Sequence, residues 1–144
     1  MKVILVDAIN CFFLKETGVF KEMFHLLEEY PNRKIILTGA NDKDREKYGF
    51  YNLPYEVFTL EHDPEKTDPK YYEIMLKHFG LEPNEVIYFE HKEAAKKSAE
   101  SVGIKTYFYD NEKKDLVALK KFLDENSSHI NKKEFWLKNN KPKH

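Results

Sequence analysis

Four side chains of this sequence form a set suited to phosphate chemistry, and three of them stand at the ends of apolar runs. Asp7, Thr38 and Glu90 end or follow such runs, and Lys66 directly precedes a helix start. An aspartate can attack phosphorus as a nucleophile. Thr38 with the adjacent Gly39, together with Lys66, can hold phosphoryl oxygens. Two carboxylates can bind Mg²⁺, which prefers hard oxygen ligands, so the residue types predict a site that handles phosphate.

Each of these residues also has an ordinary structural explanation when it is taken alone. An aspartate such as Asp7 often caps a turn, and a threonine before a glycine, as at Thr38, commonly ends a strand. Lys66 lies in a polar loop, and Glu90 with His91 can cap the helix that follows. Their joint order favours a site, because ligands of open parallel sheets bind beyond the carboxyl ends of the strands.

Strands and helices alternate along the chain, and this alternation must place the four residues. Apolar and β-branched runs predict strands at residues 2–6, 34–38, 55–60, 85–89 and 104–109. Helical spacing and capping residues predict helices at residues 18–30, 41–48, 68–80, 91–102 and 115–123. Such alternation forms right-handed βαβ units. We expect an α/β fold, a three-layer αβα Rossmann-like domain with a five-stranded parallel sheet.

Composition and charge limit the classes of partner. The chain has 144 residues and a formal net charge of −1, so no overall field attracts nucleic acid or an anionic membrane. No apolar run approaches the roughly 20 residues of a membrane span. A single cysteine, Cys11, rules out an internal disulfide and suits a reducing compartment. We expect a cytoplasmic protein without nucleic-acid or membrane partners.

The last part of the chain differs from the rest in composition. Residues 1–125 contain the predicted α/β elements, whereas residues 126–144 are polar and rich in lysine. We expect a loose tail that its aromatic pair pins to the domain, or else an oligomer contact or an anion-binding arm. Its apolar residues are Ile130, Phe135, Trp136 and Leu137.

The stretch from residue 65 to residue 108 carries the most specific pattern in the chain. It contains E-K-T-D-P-K-Y-Y at residues 65–72, L-E-P-N-E-V-I-Y-F at residues 81–89, and G-I-K-T at residues 103–106. These segments resemble the third and fourth motifs of the haloacid-dehalogenase-like (HAD) hydrolase superfamily. The resemblance implies the HAD-like version of the predicted fold.

Two further segments extend the resemblance to residues 2–109, most of the chain. V-D-A-I-N-C at residues 6–11 resembles the first HAD motif, D-x-D-x-T, and I-L-T-G at residues 36–39 resembles the second. The resemblance implies that the catalytic residues are Asp7, the nucleophile, and Lys66. It also implies substrate-binding roles for Asn10, Thr38, Gly39 and Lys66.

The first and fourth motifs depart from the family pattern. The implied Mg²⁺ ligands are Asp7, the backbone carbonyl of Ile9, and Glu90, but His91 fills the second half of the usual acidic pair. Because Mg²⁺ demands near-ideal octahedral geometry, one carboxylate fewer reduces its affinity. Ile9 stands where phosphatases place the aspartate that acts as general acid/base, and Cys11 replaces the usual threonine. Losing an acid/base usually costs about 10²–10⁴ in rate, so we expect weak phosphatase activity.

The intervals between the motifs are short. One helix with its loops fits between Asp7 and Thr38, and one helix with a short strand fits between Thr38 and Lys66. Neither interval has room for the cap domain that this family inserts there. By resemblance, capless members act on large substrates or close the site by forming oligomers. We therefore expect a phosphorylated small molecule or macromolecule as ligand, and a homo-oligomer as one way of closing the site.

Several functions compete for this pattern. A phosphohydrolase with reduced activity and a non-catalytic pseudoenzyme that binds a phosphorylated ligand or a protein partner explain it equally well. A metal-independent dehalogenase-type hydrolase is a lesser alternative, because D-A-I-N-C resembles the D-A-Y-G-T of such enzymes. A phospho-acceptor receiver domain would need an acidic residue after the third strand and a lysine after the fifth. Residues 60–61 and 110–111 fit that requirement poorly.

Overall fold

The computed structural model describes residues 1–128. Five longer strands alternate with helices, and two short strands form a hairpin after the first strand. The predicted tail contacts of Ile130, Phe135, Trp136 and Leu137 lie outside the described residues. The elements in chain order are β1 (Val3–Asp7), β2 (Phe13–Leu14), β3 (Gly18–Val19), α1 (Lys21–Glu28), β4 (Lys34–Thr38), α2 (Asp42–Tyr48), β5 (Glu56–Thr59), α3 (Pro69–Phe79), β6 (Val86–Glu90), α4 (Glu93–Ser101), β7 (Lys105–Phe108) and α5 (Leu116–Asn126).

The five longer strands form one parallel sheet in the order β5-β4-β1-β6-β7. β1 lies at its centre and pairs with β4 on one side and with β6 on the other. From β1 the chain builds out to the β5 edge and then crosses to the other side of β1. This confirms the predicted sheet, and it places a topological switch point beside β1, where open sheets bind ligands.

Successive residues of β1 face opposite sides of the sheet, as strand geometry requires. Ile4 and Val6 pack in one buried cluster with Met23 of α1 and Leu119 of α5. Leu5 packs in a second buried cluster with side chains of α3 and α4. Helices therefore cover both faces of the sheet, which confirms the three-layer αβα architecture.

The predicted helix at residues 18–30 is wrong at its beginning. Gly18 and Val19 form β3, which pairs antiparallel with Leu14 and Phe13 of β2. Gly18 has a φ of 89°, a left-handed value that glycine adopts without the steric cost of a Cβ. The chain turns back at this point, and α1 begins only at Lys21.

Side-chain caps mark the starts of α2 and α3. Asp68 accepts a hydrogen bond from the backbone N of Lys70 at 2.9 Å, and Pro69 occupies the first position of α3. Asn41 and Asp44 form a reciprocal capping box at the start of α2. Because these caps satisfy backbone N–H groups that have no partner within the helix, they fix the residue at which each of the two helices begins.

Strand ends differ slightly from the prediction at the two positions that matter for the site. β1 and β6 each run one residue further than expected, so that Asp7 and Glu90 are the last residues of their strands. α4 begins at Glu93 rather than at His91. His91 and Lys92 therefore form a short link directly beyond the sheet edge.

The intervals between β1, β4 and α3 contain only the elements given above. Within residues 1–128 there is consequently no inserted cap domain. α5 continues to Asn126, and the carbonyl of Ser127 accepts a hydrogen bond from the backbone N of Lys2 at 2.9 Å. The predicted domain boundary at residue 125 stays a prediction, because most of the tail lies outside the described residues. None of the helices described is long and apolar enough to cross a membrane.

Candidate active site

The carboxyl ends of three neighbouring strands bring the predicted site residues together. Asp7 ends β1, Thr38 ends β4 and Glu90 ends β6, and all three side chains are buried. Pairing of Val6 with Phe89 sets Asp7 level with Glu90 at the sheet edge. The strand register, rather than any loop, therefore fixes the spacing of the two carboxylates.

Lys66, from the loop between β5 and α3, joins these carboxylates. Its Nζ lies 2.6 Å from Asp7 Oδ1, 2.8 Å from Glu90 Oε1 and 3.2 Å from the carbonyl oxygen of Leu37. Burial lowers the pKa of Lys66, but the charges of Asp7 and Glu90 outweigh it and raise that pKa well above its usual value. Two of its three N–H groups therefore donate hydrogen bonds, to Asp7 and to the carbonyl of Leu37, and the Glu90 carboxylate is in ion-pair contact.

His91 contacts the opposite side of the Asp7 carboxylate. Its backbone N donates to Asp7 Oδ2 at 3.1 Å, and its ring Nδ1 bonds the same oxygen. Nδ1 also lies 3.2 Å from Glu90 Oε2. Burial lowers the pKa of the ring, but the bonds to Asp7 and Glu90 raise it to about 9. The ring is therefore an imidazolium at neutral pH.

Asp7 is a fully ionised carboxylate with both oxygens occupied. Oδ1 accepts from Lys66, and Oδ2 accepts from His91 and, at 3.1 Å, from the thiol of Cys11. Burial raises the pKa of Asp7, but the Lys66 charge and the His91 hydrogen bond outweigh it and hold the pKa well below its usual value. The Cys11 pKa is raised well above normal by burial and by Asp7, so the cysteine stays a neutral thiol.

Glu90 is held by a second group of donors. The hydroxyl of Tyr88 donates to Oε1 at 2.6 Å, and the backbone N of Lys92 donates to Oε2 at 3.0 Å. Tyr72 lies behind Tyr88, with 3.5 Å between the two hydroxyl oxygens. Sequence reasoning missed this contact, although a signal for it exists: residues two apart on a strand share a face, so Tyr88 had to point the same way as Glu90.

One cavity of about 260 Å³ opens above these groups. Every residue to which the sequence assigned a catalytic, substrate-binding or metal role lines it, whereas those roles themselves stay predictions. Asn10 enters the cavity wall from a left-handed backbone with φ of 71°, a conformation that asparagine tolerates better than most residues. The seven predicted residues that line the cavity are Asp7, Ile9, Asn10, Thr38, Gly39, Lys66 and Glu90.

The rim of the cavity contains an ion-pair cluster that sequence reasoning did not single out. His62 Nε2 lies 2.6 Å from Asp44 Oδ2 of α2, and its Nδ1 lies 2.7 Å from Glu65 Oε1. The hydrogen bond to Asp44 is the main cause that raises the pKa of His62. A Cβ placed on Gly39 would lie 3.3 Å from the His62 ring. The loop before Lys66 therefore closes one side of the cavity by docking onto α2.

The chain is similar to several solved structures. No protein-family model and no curated protein matches the chain. Among solved structures, a predicted HAD-like family hydrolase from Porphyromonas gingivalis is 18% identical over 75% of this chain and 58% of its own, with a TM-score of 0.59. An uncharacterized protein from Corynebacterium glutamicum is 12% identical over 86% of this chain and 96% of its own, with a TM-score of 0.56.

A third similar structure is a HAD-family enzyme from Bacteroides thetaiotaomicron in complex with magnesium and inorganic phosphate. It is 20% identical over 63% of this chain and 52% of its own, with a TM-score of 0.50. This chain has the HAD-like fold. The HAD-like fold was thus predicted correctly from the motifs, and the chain spans about half the length of the HAD-family structures that it matches.

The donor groups of this HAD-like domain suit Mg²⁺ poorly. Mg²⁺ requires hard oxygen ligands in near-ideal octahedral geometry, but Lys66, Tyr88, His91 and the backbone N of Lys92 already engage the Glu90 carboxylate. Both Asp7 oxygens are engaged as well. The group with metal-ligand spacing in the described residues is mixed and soft instead, a carboxylate, a thiol and an imidazole. An ion of the predicted kind would have to displace the His91 ring.

Proposed function

We propose that the cavity binds the phosphoryl group of a phosphate monoester and hydrolyses the ester slowly, with Asp7 as nucleophile. The observation that carries this proposal is the position of Asp7, an ionised carboxylate in the wall of a cavity at the switch point of a HAD-like sheet. Thr38 and Gly39 line the same cavity. The hydroxyl of Thr38 accepts from the backbone N of Ala40 at 3.1 Å, which leaves its own hydrogen free to donate to a phosphoryl oxygen.

In the proposed reaction, an oxygen of Asp7 forms a bond to phosphorus while the bond from phosphorus to the ester oxygen breaks. The alcohol leaves with a proton taken from water, since Ile9 offers none. Water then attacks the aspartyl phosphate, which releases phosphate and restores the carboxylate. Each step lacks the positioned acid/base that usually contributes about 10²–10⁴ in rate, so turnover is slow.

The arrangement around Asp7 slows the first step further. Lys66 and His91 each bind one oxygen of the carboxylate, and a carboxylate whose two oxygens both accept such bonds is a weaker nucleophile. At least one of these bonds must lengthen before Asp7 can attack. We expect Mg²⁺ to bind weakly, because other groups of the protein already engage Asp7 and Glu90. The similar Bacteroides enzyme, in contrast, was crystallised with magnesium and inorganic phosphate.

Hydrolysis of p-nitrophenyl phosphate tests this proposal. The wild-type protein should release p-nitrophenol slowly but measurably, and Asp7→Asn should abolish the release while the circular dichroism spectrum stays unchanged. Asp42→Asn is the matched control, because Asp42 is an exposed aspartate of α2, and it should retain wild-type activity. Fast turnover, or slow turnover that survives Asp7→Asn, would show that Asp7 is not the nucleophile of a weakened enzyme.

A non-catalytic role is the second candidate, and the full engagement of Asp7 favours it. In this case the cavity binds a phosphorylated ligand or a phosphorylated segment of a partner and returns it unchanged. Inorganic phosphate or orthovanadate should then bind, as measured by calorimetry, whereas no aspartyl phosphate forms and no alcohol is released. Binding without turnover would identify this second function, and turnover abolished by Asp7→Asn would exclude it.

A further inference from the structure

We infer that the side chain of His91 takes the place of a divalent cation, so that this HAD-like cavity binds its anionic ligand without a metal. The ring nitrogen Nδ1 contacts both of the carboxylates that would otherwise be the metal ligands. The identity of the ligand, a phosphoryl group, rests on the proposed function, whereas the replacement of the metal does not.

The first argument is position. His91 Nδ1 bonds Asp7 Oδ2 and lies 3.2 Å from Glu90 Oε2, so it contacts the two side chains that the motifs assign to a metal. A ring nitrogen in contact with both carboxylates leaves no room between them for an ion with its own shell of oxygens, since Mg²⁺ lies about 2.0–2.1 Å from each ligand. The His91 ring and a Mg²⁺ ion therefore cannot occupy this position at the same time.

The second argument is charge. Two carboxylates, Asp7 and Glu90, are buried at the base of the cavity, and isolated buried charges are costly. The Lys66 ammonium lies 2.6 Å and 2.8 Å from them, and His91 Nδ1 contacts both. The two buried carboxylates therefore have partners within the protein and do not depend on a divalent ion for them.

The third argument is what the ring still offers a ligand. His91 lines the cavity, and within the described residues its hydrogen bonds are made by the backbone N and by Nδ1. Those bonds leave the second ring nitrogen, Nε2, available for a ligand. In contrast, Lys66 Nζ donates hydrogen bonds to Asp7 and to the carbonyl of Leu37 and lies 2.8 Å from Glu90 Oε1. The ring is therefore better placed than Lys66 to bond a phosphoryl oxygen.

A soft-metal site is the competing explanation of the same cluster, because Asp7, Cys11 and His91 have ligand atoms within 4.8 Å of one another. The hydrogen bonds argue against it. The Cys11 thiol donates to Asp7 Oδ2, and the same oxygen accepts from the backbone N and the ring of His91. Donors that converge on one oxygen atom form a hydrogen-bonded carboxylate, whereas ligands of a metal point at a common empty position.

Calorimetric titration with MgCl₂ alone tests the replacement. The wild-type protein should show no saturable binding below about 1 mM, whereas His91→Asp should bind Mg²⁺ at least about tenfold more tightly, because affinity rises with ligand charge. His91→Asn, which removes the ring and adds one oxygen ligand, should fall between them and covers the case in which His91→Asp does not fold. His25→Asp is the matched control at an exposed histidine of α1 and should behave like the wild-type protein.

The outcomes separate this inference from the proposed function. Saturable one-to-one Mg²⁺ binding by the wild-type protein that is lost in Asp7→Asn would overturn the inference, and so would a folded His91→Asp without any gain. ZnCl₂ binding lost in Cys11→Ser would overturn it in favour of the soft-metal site. Titration with inorganic phosphate completes the design, and EDTA should leave its wild-type affinity unchanged. If phosphate does not bind at all, the proposed function fails while the MgCl₂ titration still decides the inference.

Discussion

Lys66 Nζ lies 2.8 Å from Glu90 Oε1, so one ammonium group holds together two carboxylates that different strands deliver to the cavity. The same nitrogen bonds Asp7 Oδ1 at 2.6 Å. The loop between β5 and α3 is thereby tied to the centre of the sheet. We therefore expect this ion pair to stabilise the fold as well as to shape the site.

Removal of this ammonium group should therefore destabilise the protein strongly. Lys66→Met keeps most of the side-chain length but leaves Asp7 and Glu90 without their shared cation, and breaking a buried ion pair costs about 3–5 kcal/mol. Urea unfolding monitored by circular dichroism measures the loss. Lys97→Met, an exposed position on α4, should change the free energy of unfolding by less than about 0.5 kcal/mol. A loss for Lys66→Met as small as that of the control would mean that the contact contributes little.

Restoration of the missing acid/base should raise activity. Ile9 lines the cavity beside Asp7, and Ile9→Asp places a carboxyl group there that can protonate the leaving oxygen and activate water. We expect faster release of p-nitrophenol, with a gain of up to about 10²–10⁴. Ile9→Asn is the matched control, since an amide has a similar size but cannot transfer the proton. Equal rates for the two variants would contradict the assignment of this position.

Local patterns predicted most of the fold, because the alternation of apolar runs and amphipathic segments leaves few topologies for a parallel sheet. β4 has the predicted bounds, and α3, capped by Asp68, begins one residue after its predicted start. The hairpin of β2 and β3 escaped prediction because strands of two residues are too short to show a period. The helical spacing of the residues after them predicts a helix from Gly18, whereas α1 begins at Lys21.

The members of the site were predictable, but their partners were not. Asp7, Thr38 and Glu90 come together because parallel strands end at one edge of the sheet. The bonds of His91 to Asp7 depend on the pairing of β1 with β6 and on the turn after Glu90, which neither segment specifies alone. His62 reaches Asp44 through the fold of a loop without periodicity, so no pattern in the sequence indicated that contact.

The stability of the protein should depend on pH through His91. Its pKa is about 9 in the folded chain, against an ordinary value of 6.5, so the folded state binds a proton more tightly than the unfolded state does. The resulting stabilisation is fully present below pH 6.5 and is lost as the pH rises through about 9. Free energies of unfolding from urea titrations between these two pH values should fall more steeply for the wild-type protein than for His91→Asn. Parallel profiles for the two proteins would show that the ring is not protonated in the folded state.

Cys11 should be chemically inert in the folded protein. Its side chain is fully buried, its thiol donates to Asp7 Oδ2 at 3.1 Å, and its pKa is raised well above the usual value. Because the thiolate is the reactive form, labelling by a disulfide reagent at pH 8 should proceed only as fast as the protein opens. The measured rate should rise with urea in parallel with unfolding. A double variant, Cys11→Ser with Ser101→Cys, is the matched control, because residue 101 is exposed at the end of α4 and its thiol should react at once. Rapid labelling of the wild-type protein without urea would show that the wall of the cavity around Asp7 opens far more readily than its buried contacts imply.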